Sequence, residues 1–75
     1  MNKKRREKII ESIKILEEAK IGLQGILDDE QFSFDNIPEN LQSSLRADES
    51  ETAIDSMEGA IEMIESAVEE LKSIN

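Results

Sequence analysis

The sequence has 75 residues and contains no cysteine, histidine, tryptophan or tyrosine. This length predicts one small domain over residues 1–75, and the missing residue types exclude disulfides and the usual zinc ligand sets. Nine basic residues stand against eighteen acidic ones, giving a net charge of -9. This excess of carboxylates opposes binding to nucleic acid or to an anionic membrane.

Five of the nine basic residues lie within the first eight positions and form what we call the basic tip. An antiparallel second helix would bring Glu69 and Glu70 beside this tip, so we expect solvated surface ion pairs there. Contact with nucleic acid or with an acidic partner is the alternative, although no aromatic residue is interleaved to stack on bases. The basic tip consists of Lys3, Lys4, Arg5, Arg6 and Lys8.

A first helix is predicted over about residues 3–31. Its central line is formed by Ile9, Leu16 and Leu23, which recur every seven residues. Further apolar residues flank this line at helical spacing, namely Ile13, Leu27, Ala19 and Ile26. Three more isoleucines fall outside it, so the apolar surface is wider than one partner helix can cover. They are Ile10, Ile15 and Ile21.

Two glycines, Gly22 and Gly25, interrupt the same helix. Each costs about 1 kcal/mol relative to alanine in a helix interior. They indicate either a tolerated weakness or a place where another helix crosses closely.

The predicted connection, residues 32–48, is long for a compact domain, which indicates that it has structure or function of its own. We expect Asn36 to cap a short turn that is entered through Pro38. Three large aliphatic residues then fall on one face at spacings of four, so the connection is predicted to form an ordered cap over the end of the hairpin. They are Ile37, Leu41 and Leu45.

The only two aromatic residues of the chain, Phe32 and Phe34, lie in this connection, where a simple hairpin needs neither. Binding energy concentrates in a few large side chains held in a rigid setting, so this segment is the predicted contact surface for a partner protein. The alternative is that both phenylalanines turn inward and close the end of the hairpin. The predicted partner-binding residues are Phe32, Phe34, Pro38, Asn40 and Gln42.

A second helix is predicted over about residues 49–74, and Asp48 with Glu51 matches a capping box at its start. Six large apolar residues in it alternate spacings of three and four, which is the pattern of a coiled-coil seam. They are Ile54, Met57, Ile61, Ile64, Val68 and Leu71.

The apolar lines of the two helices match along their whole length when the helices run antiparallel. Ile9 then lies near Leu71, and Ile26 lies near Ile54. Lys20 alone lands on the seam, where its stem can cover apolar surface while its charge reaches water. We therefore predict an all-α fold, an antiparallel two-helix hairpin of coiled-coil type with an ordered connecting loop.

One flank of the second helix carries an alanine every seven residues. Alanine lets a neighbouring backbone approach closely, although helix propensity alone is an alternative explanation. Together with the surplus isoleucines, this flank predicts a homo-oligomer, most simply a dimeric four-helix bundle. The predicted oligomer interface consists of Ile10, Ile15, Ile21, Ala53, Ala60 and Ala67.

The other flank of the second helix carries a stripe of carboxylates. Such a stripe is usually a solvated face, and mimicry of a phosphate backbone is the alternative with functional content. An all-carboxylate magnesium or calcium site is a further alternative, but no metal site is predicted. The acidic stripe consists of Asp55, Glu58, Glu62, Glu65 and Glu69.

No motif for catalysis is found in the sequence. Without histidine or cysteine the common nucleophile–base pairs cannot form, and neither a glycine-rich phosphate loop nor an EF-hand spacing is present. We expect a protein that is not an enzyme and that uses no cofactor.

Residues 32–44 and the segment AIDSMEGAIE that follows at 53–62 resemble a family of short acidic helical-hairpin proteins of bacteriophages and prophages. The distinctive part of the resemblance is DNIPENLQ, Asp35–Gln42, between two glutamate-rich helices. The resemblance implies a phage-related origin, where small acidic helical proteins often bind and inhibit host proteins. It implies no functional residues, because the family has no agreed activity.

These observations favour a small phage-type protein-binding module that inhibits a host protein of defence or nucleic-acid processing. The alternatives are a structural homo-oligomer or assembly adaptor, and a helical bundle that sequesters a ligand. Direct binding to nucleic acid is not expected. No apolar run reaches the roughly 18 residues needed to span a bilayer, so we expect a cytoplasmic protein of a bacterial host without membrane association.

Overall fold

The computed structural model describes residues 1–74, and these residues contain two long helices that pack against each other. Helix α1 is Lys3–Asp35 and helix α2 is Leu45–Lys72, with a 3-10 turn at Glu39–Leu41 between them and no strand in the described part of the chain. The molecule is a rod of 59 × 15 × 13 Å. The predicted all-α class and the two-helix hairpin are confirmed.

Helix α1 continues past its predicted end near residue 31. Its N-terminal capping residue is Asn2, whose side-chain oxygen accepts a hydrogen bond from the backbone N–H of Arg5 at 2.8 Å. Its C-terminal capping residue is Asn36, whose Nδ2 donates to the carbonyl oxygen of Phe32 at 2.7 Å. Asn36 therefore closes α1 instead of capping a following turn, and the prediction that it begins one was wrong. Phe32 and Phe34 belong to the last turn of α1.

Helix α2 begins before its predicted start near residue 49. The Oγ atom of Ser44 accepts a hydrogen bond from the backbone N–H of Ala47 at 3.2 Å, and so Ser44 is the capping residue. Asp48, which was predicted to cap the helix, instead lies in its first turn, where a carboxylate is favoured by the helix dipole. The connection proper is reduced to residues 36–44.

The core is a single seam along the contact between the helices. On α2 the residues Ala47, Ile54, Ile61 and Val68 recur every seven positions and are buried, as is Ser50. No residue of α1 is buried to the same degree. Its contribution is a line of half-buried residues at alternating spacings of four and three. They are Ile9, Ile13, Leu16, Lys20, Leu23, Leu27, Glu30 and Phe34.

The α1 side of the seam differs from the prediction in two respects. Ala19 and Ile26, which were expected to flank it, are exposed, so the predicted pairing of Ile26 with Ile54 is wrong. Leu27, which was also predicted to flank the line, occupies that part of the seam. Lys20 lies on the seam as predicted, with 27% of its side chain exposed.

Two ion pairs join the helices within residues 1–74. The Nζ atom of Lys72 lies 3.4 Å from Oε1 of Glu17, and that of Lys20 lies 4.0 Å from Oε2 of Glu65. Neither pair includes the basic tip, so its predicted ion pairs with the end of α2 are not formed in the described part of the chain.

The two glycines of α1 do not mark a close crossing inside the hairpin. No heavy atom beyond the local backbone lies within 4 Å of the point where a Cβ atom would stand on Gly22 or Gly25. Neither glycine has a positive φ. The hairpin by itself therefore explains neither glycine.

Candidate protein-interaction surfaces

The connection is an ordered segment, held by its own backbone hydrogen bonds. The N–H of Ile37 donates to the carbonyl of Phe34 at 3.1 Å, and that of Leu41 donates to Pro38 at 2.8 Å. The N–H of Ser44 donates to Leu41 at 3.0 Å, which leads directly into α2. These contacts fix the path of the chain from one helix to the other, so side chains on the connection are presented in a defined arrangement.

A concave pocket of about 360 Å³ lies between the end of α1, the connection and the start of α2. We call it the connection pocket. Its lining is apolar apart from small polar groups and one charge, the guanidinium of Arg46. Arg46 is the only basic residue between Lys20 and Lys72 in the sequence. The lining residues are Phe32, Ser33, Asn36, Ile37, Pro38, Leu41, Ser44 and Arg46.

The structure divides the predicted partner-binding residues into three groups. Phe32 and Pro38 line the connection pocket, and Phe32 is 73% exposed. Phe34 is half-buried on the seam, as the inward alternative for that residue describes. Asn40 and Gln42 are exposed but do not line the pocket. The side chain of Gln42 makes one long contact, from Nε2 to the carbonyl oxygen of Ile37 at 3.5 Å.

Six of the eight residues that line the pocket were not predicted to bind a partner, and Leu41 and Arg46 are two of them. Leu41 is half exposed, although its spacing from Ile37 had indicated a shared face directed at the hairpin. Arg46 had been placed in the connection without a role, and its isolation among acidic residues was the one signal that could have singled it out.

The five residues of the acidic stripe are all exposed on α2. Three of them, Glu58, Glu62 and Glu65, line a shallow groove together with Gln24 and Asp28 of α1. Within residues 1–74 no group of three or more acidic side chains is arranged to hold a metal ion. The groove is a polar surface along one side of the hairpin.

The opposite side of the hairpin is apolar, and we call it the apolar flank. The ion pair of Lys72 with Glu17 marks the acidic side of the seam. Ala53 and Ala60 precede the buried Ile54 and Ile61 by one position, so they lie on the other side. On each helix, the residues of this flank follow one another at alternating spacings of three and four positions. It consists of Ser12, Ile15, Ala19, Gly22 and Ile26 on α1, and of Ala53, Ser56, Ala60, Met63 and Ala67 on α2.

The predicted oligomer interface is divided between the two sides of the rod. Ile15 and the three alanines lie on the apolar flank, where Ala53 and Ala60 are half-buried. Ile10 lies seven residues before Glu17, and Ile21 lies seven residues before Asp28. These two isoleucines therefore face the acidic side, and the grouping of all six residues into one interface was wrong.

Comparison of the chain with protein-family models, with curated proteins and with solved structures finds no match. Among the described residues, neither helix has a stretch long and apolar enough to cross a membrane.

Proposed function

We propose that this protein is a non-enzymatic protein-binding module that contacts its partner through the connection pocket. The observation that carries the proposal is the position of Phe32, which is 73% exposed at the rim of an apolar concavity. Folding leaves a large aromatic side chain in water there, while the pocket beside it is built from ordered backbone. Large side chains in rigid surroundings are where binding energy concentrates.

The chemistry of the pocket indicates which kind of partner segment it would bind. Ile37, Pro38 and Leu41 offer apolar surface for one large apolar side chain. Arg46 is the only charged group of the lining, and its planar guanidinium favours a carboxylate or a carbonyl oxygen. The partner segment is therefore apolar with a hydrogen-bond acceptor next to it.

The proposed partner is a host protein that the module inhibits in the bacterial cytoplasm. This part of the proposal is supported by the resemblance of Asp35–Gln42 to short acidic phage proteins, and it is an argument by association. The resembling segment and the connection pocket overlap at Asn36, Ile37, Pro38 and Leu41.

The experiment has two stages. First, the tagged protein is incubated with bacterial lysate, with and without nuclease, and a stoichiometric partner is identified and purified. Second, the dissociation constant of that partner is measured for the unmodified chain, for Phe32→Ala and for the control Leu45→Ala. Leu45 is 74% exposed and does not line the connection pocket, so it matches Phe32 in exposure.

We expect Phe32→Ala to weaken binding by roughly tenfold or more, as truncation of an interface anchor does. Leu45→Ala should leave affinity unchanged, and both variants should keep the melting temperature of the parent. Equal affinities of all three proteins would overturn the proposal, and so would the failure to find any stoichiometric partner.

We also propose that the hairpin works as a homodimeric four-helix bundle, which would equally serve a structural or adaptor role. Support comes from the thin core, in which no large side chain is fully buried among the described residues. Isolated hairpins of this size are marginal. Light scattering at micromolar concentration should give twice the chain mass. A monomer mass with cooperative melting would contradict the dimer.

A further inference from the structure

We propose that a second copy of the chain docks on the apolar flank in antiparallel orientation, with α1 against α1 and α2 against α2. The connection ends of the two copies then lie at opposite ends of the bundle. The inference rests on the proposed dimer and specifies its face and its arrangement.

The apolar flank has the spacing of a second helix-packing seam. Its residues alternate steps of three and four on both helices, as the residues of the hairpin core do. Three of its large side chains are left in water by the single hairpin, with Ile15 56%, Ile26 57% and Met63 73% exposed. Ala19 and Gly22 lie between Ile15 and Ile26, and Ala60 and Ala67 lie on either side of Met63. Large side chains that project from the flank therefore alternate with hollows over small residues.

Gly22 is the deepest hollow of the flank, and nothing within its own chain requires it. A Cβ atom at this position would meet no heavy atom within 4 Å. The residue has no positive φ, and glycine weakens a helix interior. A side chain from outside the hairpin that approaches the backbone at this point would account for the glycine.

The antiparallel arrangement places each large residue of the flank over a small one. With Ala19 of each copy meeting its counterpart, Ile15 lies over Gly22 of the second copy. In the same register Ser12 meets Ile26. On α2, with Ala60 at the centre, Ser56 meets Met63 and Ala53 meets Ala67. Side chains that interdigitate in this way reach the density of a protein interior.

The parallel arrangement lacks this fit. It would place α1 against α2 of the second copy. The residues that meet are then about those that lie side by side within one hairpin, where the hydrogen bond between Ser50 and Glu30 sets the register of α1 and α2. Ile15 would then meet Met63, while Gly22 would meet Ser56. Two large side chains would be forced together at one level and a void would remain at another, both of which are unfavourable.

Charge complementarity favours the same orientation. Lys8 lies seven residues before Ile15 and Asp29 lies seven residues after Gly22, so both are on the same face of α1 as these two residues. In the antiparallel dimer Lys8 of each copy faces Asp29 of the other, and the basic tip lies beside an acidic connection end. On α2 Glu49 faces Glu70, with Arg46 three residues from Glu49 on the same face. In the parallel arrangement Lys8 would face Glu70 and Asp29 would face Glu49, so these pairs do not distinguish the two orientations. The parallel arrangement would, however, bring the two basic tips together, which is unfavourable.

One long side of the hairpin is large enough to form a protein interface of standard size. The rod is 59 Å long and 15 Å wide. Covering one long side would bury an area comparable to the roughly 800 Å² per partner of a standard protein interface.

Cysteine cross-linking tests the arrangement, because the chain has no cysteine of its own. Ala19→Cys and Ala60→Cys lie at the proposed twofold axis, so each alone should form a disulfide-linked dimer on mild oxidation, which needs Cα atoms within about 7 Å. Glu18→Cys, exposed on the outer side of α1, is the matched control and should stay monomeric on a non-reducing gel.

Two results would overturn the arrangement. The first is cross-linking of Glu18→Cys as readily as Ala19→Cys. The second is cross-linking only when Ala19→Cys and Ala60→Cys are mixed, which is the signature of the parallel dimer. Light scattering of the unmodified chain reports separately whether any dimer exists, so the failure of this arrangement and the failure of the dimer can be told apart.

A glycine pair provides a second readout that does not depend on disulfides. Gly22→Leu fills the proposed hollow and should shift the chain to the monomer mass, while its helix content is kept. Gly25→Leu, one turn away and equally unobstructed in the hairpin, should remain a dimer. If both variants stay dimeric, Gly22 does not lie under Ile15 of a second copy and the inference is wrong.

Discussion

Ser50 donates a hydrogen bond from Oγ to Oε1 of Glu30 at 2.6 Å, joining the seam of α2 to that of α1. Ser50 is 8% exposed and is the buried polar residue among those described, while Glu30 is half-buried. The contact fixes the position of α2 relative to α1 along the helix axes, close to the connection. Glu30 supplies the acceptor that the buried hydroxyl of Ser50 needs, since a buried hydroxyl without an acceptor is unfavourable.

Replacing Ser50 with alanine should lower the free energy of unfolding by about 1 kcal/mol, the usual net worth of such a hydrogen bond. Glu30 can still reach water, so a larger penalty is not expected. Ser66→Ala on the exposed outer side of α2 is the control and should change stability by less than about 0.5 kcal/mol. Urea unfolding followed by circular dichroism measures both. Equal stability of the two variants would mean that the Ser50 contact does not stabilise the hairpin.

Truncation of the seam should be the most damaging kind of substitution. Ile61 is 7% exposed at the centre of α2, and Ile61→Ala deletes buried methyl groups, so we expect a loss of about 2–4 kcal/mol. Glu62→Gln, on the adjacent exposed position, should stay within about 0.5 kcal/mol of the parent. Chemical denaturation compares them directly. A larger loss for the glutamine variant would show that the seam of α2 is rotated from the one described.

The start of α2 can be tested by removing its cap. Ser44→Ala deletes the oxygen that accepts from the N–H of Ala47, which should destabilise the protein by about 1 kcal/mol. Ser43→Ala removes a neighbouring hydroxyl outside the cap and should be neutral. Thermal melting of the two variants provides the comparison. If Ser43→Ala were the more harmful change, the helix would begin elsewhere.

The polar residue at the centre of the seam should be replaceable. Lys20 has 27% of its side chain exposed, and its ion pair with Glu65 spans 4.0 Å, so the pair contributes less than about 1 kcal/mol. Lys20→Leu buries apolar surface instead and should raise stability by about 1 kcal/mol. Lys14→Leu, at an exposed position, should not. Destabilisation by Lys20→Leu would indicate that the lysine is required where it stands.

The regularity of each segment decides how far the sequence predicts the fold. The heptads of α2 are regular, and its seam was predicted from Ile54 to Leu71, whereas the buried Ala47 and Ser50 lay outside the predicted pattern. On α1 the seam continues through Glu30, whose polar side chain conceals that continuation in the sequence, and the exposed Ala19 and Ile26 were assigned to the seam because they are apolar. The helix ends were misplaced because Asp48 with Glu51 matches a capping box, whereas Asn36 and Ser44 cap through single hydrogen bonds.

The candidate site was predictable only in part. Phe32 and Pro38 stood out because aromatic residues and proline are rare in this chain. Arg46 joins them only because the connection folds back and places the first turn of α2 against the last turn of α1. The spacing of apolar residues within each helix does not predict that these two turns lie close together.

The most direct test of the central claim is amide hydrogen exchange of the protein alone and in complex with its purified partner. The account predicts slower exchange in the complex at the end of α1 and through the connection, from about Phe32 to Arg46, with little change along the acidic stripe. Protection confined to the stripe, from Asp55 to Glu69, with the connection unchanged, would contradict it and would place the contact on the acidic side of the hairpin.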